Sequence, residues 1–404
     1  MPTKNESENP APAVDSQKIL SHISTFHDEL TAIRRDIHAH PELGFEEERT
    51  SALVAEKLEG WGIDVTRGLG RTGVIGTLRC GNAPRSIGLR ADMDALPITE
   101  DSGDAYASQT PGVMHACGHD GHTAMLLGTA RYLAETRNFE GTVHFIFQPA
   151  EEAVGGARQM LADGLFEQFP CDAVYGIHNR PGLALGSFGI RPGPMMAGGA
   201  VFDIEISGVG AHGARPESGL DPIPIAAQII TATQTIVSRN VPPQDTAVIS
   251  ITGVHGGDAY NVIPPKVRLM GTARAFKPEV MKQLETGLRR IAQDIAKGMG
   301  GEASLDFREE FLPLVNDPAE AAFAADCAAS LVGEGAVDRN RPIIMGSEDF
   351  SFMLAACPGA YINIGIGEDH PTQVHNPAYR FNDAVLPTGS AYLASLVENK
   401  LAES

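Results

Sequence analysis

The sequence predicts an α/β protein whose helix-covered sheet is interrupted by a separate α+β unit, and three observations carry that reading. Short apolar or β-branched segments at residues 74–78, 87–92, 143–148 and 173–178 alternate with helical stretches such as 122–135. That order builds a sheet with helices on both faces. After Pro192-Gly193-Pro194 the pattern changes to strand 199–208, helix 222–239, strands 247–254 and 267–276, helix 279–297 and strand 303–308. This β-α-β-β-α-β run has the size of a ferredoxin-like domain. From residue 316 helix and strand patterns return, with a strand at 361–365, so the chain re-enters the first domain.

Taken in order, residues 18–39 read as a helix because Ile19, Leu20, Ile23, Phe26, Leu30, Ile33 and Ile37 recur at steps of three and four. Pro41 stops it. A second helix spans 46–59 and is closed by Gly60. Residues 1–17, MPTKNESENPAPAVDSQ, are polar and proline-containing, and read as a frayed tail without a signal or transit sequence. The domain plan is therefore a tail over 1–17, a first domain over 18–195, an inserted unit over 196–315 and a return over 316–404.

Composition excludes several classes. With 404 residues and 43% hydrophobic content the chain can bury real cores. Its 31 Lys plus Arg against 51 Asp plus Glu give a net charge of −20, which repels phosphate backbones and anionic lipid surfaces. Neither nucleic acid nor membrane is expected as a partner. No run reaches the roughly 18 apolar residues that span a bilayer. Five cysteines, at 80, 117, 171, 327 and 357, form no CxxC and are odd in number. They suit a reducing compartment, so a cytoplasmic location is expected.

Polar chemistry collects at strand ends, where the ligands of open α/β sheets bind. Strand 87–92 runs into Asp92-Met93-Asp94, strand 143–148 into Pro149-Ala150-Glu151-Glu152, and strand 173–178 ends on His178. A fourth contribution, HACGHDGH at 115–122, lies before a helix. An adjacent acid pair is ordinarily a solvated surface pair. Glu151 and Glu152 instead follow an apolar strand and a proline, where one carboxylate can bind a metal and its neighbour take a proton from water. Cys117 and His119 together suggest a catalytic metal site, since no CxxC offers a structural one. His115 and His122 are open, the latter as a capping residue or one that orients a ligand. Asp92 and Asp94 read either as a turn pair or as acids that orient a ligand. His178 reads equally as a satisfied loop histidine.

Nine motifs resemble, in order, those of the dinuclear-metal aminoacylase and carboxypeptidase superfamily, in the branch of hippurate hydrolases, N-acyl-amino-acid amidohydrolases and auxin-conjugate hydrolases. They are RRDIHAHPELGFEE at 34–47, RADMDALPI at 90–98, HACGHDGHTAMLLG at 115–128, FQPAEE at 147–152, GIHNRPG at 176–182, GVGAHGARPE at 208–217, NVIP at 261–264, GSEDFSFM at 346–353 and HNPAYRFND at 375–383. The resemblance implies a metal-dependent aminopeptidase-like catalytic domain with an inserted ferredoxin-like lid and dimerisation domain. It implies Cys117, His119, Glu152, His178 and His375 as ligands of two divalent ions, with Zn, Mn, Co and Ni all compatible. Glu151 is implied as general base for attack of a metal-bridging hydroxide on an N-acyl amino acid, and Asp94 as the acid that orients a ligand. His212 is implied on the scissile carbonyl oxygen, in cis or across a homodimer, and Asn261 and Arg274 in holding substrate.

Two positions depart from the pattern. Arg380 stands where an acid is usual, and His370 competes with His375, which has the family's Asn-Pro after it. The same machinery would serve an N-acetyl-diaminopimelate-type deacetylase or a dipeptidase, and a metal-dependent binding protein is the non-enzyme alternative. A nucleotide-binding protein is excluded, because neither GxGxxG after a strand nor GxxxxGK[ST] occurs.

Overall fold

In the computed structural model, which describes residues 14–152 and 155–402, the first helix begins inside the expected tail. Asp15 accepts the Lys18 amide and caps α1 (Ser16–Ser24). Residues 1–13 of that tail lie outside the described range. The single helix expected over 18–39 is two, α1 and α2 (His27–Ala39). Ser24 and Thr25 turn their hydroxyls back onto the Leu20 and His22 carbonyls, and Phe26 leaves helical geometry to enter the core. The next helix, α3 (Glu48–Gly60), ends at Trp61, and Gly62 rather than Gly60 takes the left-handed conformation.

By contact the chain divides into two units. The first comprises the described residues up to Gly193 with Asn316–Arg341 and Phe352 onward; the second comprises Pro194–Val315 and Pro342–Ser351. In the first, the strands are β1 (Asp64–Leu69), β2 (Gly73–Cys80), β3 (Ser86–Asp92), β4 (Gly141–Gln148), β5 (Ala173–Arg180) and β6 (Phe188–Gly189). Helix α4 (His119–Thr136) joins β3 to β4, and α5 (Gly156–Ala162) follows β4. Pattern reading misses β1, and also the two-residue strand β6. β1 is a largely solvent-facing edge strand with a Gly and two charges, so it carries no apolar alternation.

The second unit holds β7 (Gly198–Ser207), α6 (Pro222–Thr235), β8 (Ala247–His255), β9 (Lys266–Ala275), α7 (Pro278–Gly298) and β10 (Glu302–Phe311). Its sheet has the order β8-β9-β7-β10 with all neighbours antiparallel. Helices α6 and α7 bury their apolar faces against Phe202, Ile204, Leu269 and Leu305. Helix α6 ends at Thr235, short of the expected 239, and continues as one wider π turn to Asn240.

The first unit resumes with α8 (Pro318–Val332), β11 (Val337–Asp338), β12 (Gly359–Gly365) and α9 (Leu386–Lys400). Its sheet has the order β1-β2-β4-β3-β5-β12-β6-β11. The central four, β4, β3, β5 and β12, are mutually parallel; β1, β2 and β6 join antiparallel at the flanks, and the short edge strand β11 pairs parallel with β6. Every residue of β3, β4 and β12 is buried, as strands covered on both faces must be. Because the four run the same way, their carboxyl ends share one edge, with Asp92 opposite Gln148 and His178 opposite Asn363.

A buried charge network ties that edge to the N-terminal helices. Arg34 of α2 reaches Asp120 of α4 (3.2 Å) and Asp383 (2.6 Å), and His38 reaches Asp120 (2.8 Å) and Glu100 (3.3 Å). Burial disfavours the His38 imidazolium, but Asp120 and Glu100 outweigh it and raise its pKa to about 9. Since the unfolded value is about 6.5, the linked stability is complete below that pH and is lost as pH rises through about 9. Urea unfolding of the metal-free protein should therefore show stability falling between pH 6.5 and 9.5. His38→Gln should cost about 2 kcal/mol at pH 6 and make that slope shallower, His119 supplying the remainder; an unaltered slope would show that His38 is not a titrating group.

Candidate metal centre

Each strand end delivers one part of the site. Beyond β3, Asp92 accepts from Arg90 (2.7 Å), whose Nε bonds Gln148 (2.8 Å) at the end of β4, so the two strand ends are locked together. Asp94, two residues on, splits its carboxylate: Oδ1 meets His119 Nδ1 at 3.1 Å and Oδ2 accepts the Glu152 amide at 2.8 Å. One acid thereby sets both an imidazole and the backbone of the acidic pair.

Helix α4 starts abruptly at His119 because Gly118 is left-handed (φ 92°). A Cβ at Gly118 would lie 2.4 Å from Asn179 Oδ1 and 2.8 Å from the Tyr379 hydroxyl, so no other residue fits. Cys117 precedes this turn and presents its thiol 3.4 Å from His178 Nε2. His178 spends Nδ1 on the Asn179 carbonyl (2.7 Å), which leaves Nε2 to face the thiol.

After β4, Ala150 is left-handed (φ 54°) although it carries a Cβ, and Glu151 and Glu152 follow. His375 is left-handed too (φ 63°); its amide donates to the Ala116 carbonyl (2.8 Å) and its Nε2 lies 2.8 Å from Glu152 Oε1. Strain of this kind persists only where surrounding contacts enforce it.

Several clusters of donor atoms within 4.8 Å result, among them Cys117, His119 and His178; Cys117, Glu152 and His375; His119, Glu151 and Glu152; and Asp92, His119 and His122. Cys117 belongs to two of them. The thiol pKa is pushed far above its usual range by burial and then by Glu152, Glu151 and Asp92. Burial opposes the His119 imidazolium, but Asp92 and Asp94 hold its pKa up at about 10. Glu152 stays low despite burial because His375 and His119 face it. His119 Nε2 is buried with no hydrogen-bond partner among the described residues. A thiol, imidazoles and carboxylates, with one ring nitrogen left over, are the donor set of a borderline divalent ion, and the site fits one.

Other candidates are spent elsewhere. His122 bonds Asp92 (2.5 Å) through Nδ1 and Asn179 (2.6 Å) through Nε2, which makes it a brace between β3 and β5. Asp92 is committed to Arg90 and His122. His115 is buried beside the His38 ring and in none of the donor clusters. His370 places its two nitrogens against the Thr372 and Arg380 carbonyls (2.7 and 2.6 Å), so its ring is occupied. Arg380 itself lies 3.2 Å from Asp104.

His212, Asn261 and Arg274 lie in the second unit. His212 ends a two-residue strand, Ala211–His212, paired with Val262–Ile263; it is exposed, and its Nδ1 accepts the Ala214 amide (3.1 Å). The Asn261 carbonyl accepts the Gly213 amide (2.7 Å), so Asn261 and His212 are held together by one short antiparallel ladder between distant segments. Arg274 is half-buried on β9 with Nη1 on the Ala273 and Ala200 carbonyls (3.1 and 3.4 Å). Motif reading leaves Asn179, Tyr379 and Asp120 without roles, although the first two pack around Gly118 and the third anchors α4. All three stand inside quoted motifs, beside a named ligand or in the C-terminal run.

A parallel sheet edge that gathers thiol, imidazole and paired carboxylate is the architecture of a metal-dependent hydrolase. The chain belongs to peptidase family M20/M25/M40, whose model matches residues 88–399. It is 41% identical over 380 residues to the hippurate hydrolase of Campylobacter jejuni, covering 94% of this chain and 98% of that one. It is 39% identical to the N-acetylcysteine deacetylase of Bacillus subtilis, covering 92% and 96%. Among solved structures it is similar to the Bacillus subtilis YXEP protein, a dinuclear metal binding peptidase from the M20 family, with TM-score 0.82, 36% identity and coverage of 94% and 99%.

Metal analysis separates the two C-terminal histidines. His375→Ala should weaken divalent metal binding at least ~10-fold in equilibrium dialysis, and His370→Ala should leave it unchanged; the reverse would move the ligand to His370.

Proposed function

We propose that the protein hydrolyses the amide bond of N-acyl amino acids to a carboxylic acid and a free amino acid. The observation that carries this is the sharing of Cys117 between two donor clusters, beside an acid pair of which one member faces His375. Cys117, His119, Glu152, His178 and His375 would hold two divalent ions. Bound there, such ions would polarise the scissile carbonyl and acidify water.

The remaining chemistry falls to the chain's own side chains. Glu151 takes the proton of the attacking water and returns it to the departing amine. Asp94 fixes the His119 ring and the Glu152 backbone, so that neither donor has to be organised when substrate arrives. His212 donates to the carbonyl oxygen as it gains charge. Arg274, with no carboxylate bonded to it in the described residues, pairs with the substrate carboxylate, for which its fork is suited, and Asn261 helps hold the substrate. The second unit serves as lid and as dimer contact, in a cytoplasmic enzyme loaded with Zn, Mn, Co or Ni.

Support for the substrate class comes from the relatives, of which one is named for an aromatic acyl amide and another for an acetyl amide. The acyl group thus varies among chains about 40% identical to this one, while the N-acyl amino acid is common to both names. A dedicated acetyl deacetylase is the second reading.

Amine release from hippurate, N-acetyl amino acids, N-acetyl-diaminopimelate and dipeptides, with Mn²⁺ or Zn²⁺ supplied, distinguishes these readings. Glu151→Gln should lower kcat by ~10²–10⁴-fold and keep its metal. An active variant that had lost metal would exchange the roles of Glu151 and Glu152, and a metal-loaded wild type that cleaved nothing would leave the binding-protein reading standing.

A further inference from the structure

Glu47 occupies the position immediately before α3, where a side chain normally caps the helix. It does not cap. Glu42 does so instead, accepting the Arg49 and Thr50 amides at 2.8 Å each. The Glu47 side chain is turned inward, wholly buried, and each carboxylate oxygen has one partner: Oε1 accepts the Ala150 amide (2.8 Å) and Oε2 the Thr72 hydroxyl (2.5 Å). A buried carboxylate is costly, and this one lies 103 residues away in sequence from the amide it holds.

That amide belongs to the left-handed alanine that introduces Glu151 and Glu152. Such a conformation is disfavoured for an alanine, whose Cβ crowds the following carbonyl oxygen, so contacts must enforce it. The Ala150 carbonyl is held from the other side by the Gly156 amide (3.1 Å). Gly156 is needed there, because a Cβ would fall 1.7 Å from the Pro149 carbonyl oxygen. Two residues on, Asp94 accepts the Glu152 amide. Alternate amides of this turn are thus each gripped by a buried carboxylate, one from each of two distant segments.

We propose that Glu47 is a positioning residue: by holding Ala150 in its left-handed turn it directs Glu151 and Glu152 to their separate tasks. The inference rests on the amidohydrolase reading for its kinetic part. A turn that relaxed toward ordinary backbone geometry would swing both carboxylates, and misplacement on the scale of 1 Å costs ~100-fold in rate.

The test compares Glu47→Ala, Glu47→Gln and Thr72→Val for metal affinity, for kcat and KM at saturating metal, and for thermal midpoint. Glu47→Ala should bind metal ~10–100-fold more weakly and lose ~100-fold in kcat with KM little changed. Glu47→Gln should recover both, since its amide oxygen accepts the Ala150 amide and its NH₂ donates to the Thr72 hydroxyl. Thr72→Val keeps the shape and removes one anchor; it should show a smaller loss in the same two readouts. If Glu47→Ala does not fold, the other two variants decide. A lowered thermal midpoint with unchanged metal affinity and kcat would make Glu47 merely structural and overturn the proposal, as would a Glu47→Gln no better than Glu47→Ala, or an unaffected Thr72→Val. Should the wild type release no amine from any N-acyl amino acid, the functional reading fails, and the metal affinities alone still decide the role of Glu47.

Discussion

Five negative or potentially negative groups, Asp92, Asp94, Cys117, Glu151 and Glu152, are confined to one buried edge of a parallel sheet. Like charges at that spacing repel in a medium that screens them poorly. The protein alone relieves the repulsion by keeping protons: the thiol stays protonated and the His119 ring is held as a cation by Asp92 and Asp94. Divalent ions would relieve it better, and the donor geometry around Cys117 is arranged for them.

The rest of the first unit can be understood as scaffolding against that repulsion. Arg90 reaches from within β3 to Asp92 and to Gln148, supplying a permanent positive charge behind the acids. His122 and Asn179 tie β3 to β5. Left-handed backbone at Gly118, Ala150 and His375 aims the three loops, and each strained residue is fixed by close packing or by hydrogen bonds from other segments. Strain stored in this way holds the donors close to one another, so less reorganisation is needed when an ion binds.

Much of this was legible in the sequence because strand ends and motifs coincide. The parallel strands read as unbroken apolar runs, QPAEE and GIHN sit where two of those runs stop, and HACGHDGH sits where a helix begins. The solvent-facing edge strand β1 was not legible, since its residues alternate neither in size nor in polarity. Nor was the break at Thr25-Phe26, where local hydroxyl bonds override a continuous apolar period. Glu47 shows the deeper limit. Its acid stands in a string of acids, LGFEEE, that any reading of charge alone places in solvent, and only the fold reveals that one member is buried against a loop far along the chain. His370 and His375 differ likewise by what their rings touch, which residue order does not record.

Proton release on metal binding tests the central claim most directly. Calorimetric titration of the metal-free protein with Zn²⁺ at pH 7, repeated in buffers of different ionisation enthalpy, counts the protons expelled. If Cys117 and His119 are protonated in the empty site and both become ligands, roughly two protons per chain should be released, and apparent affinity should climb as pH rises. Tight binding without proton release would contradict the account, because the ion would then be held by groups other than this thiol and this imidazole.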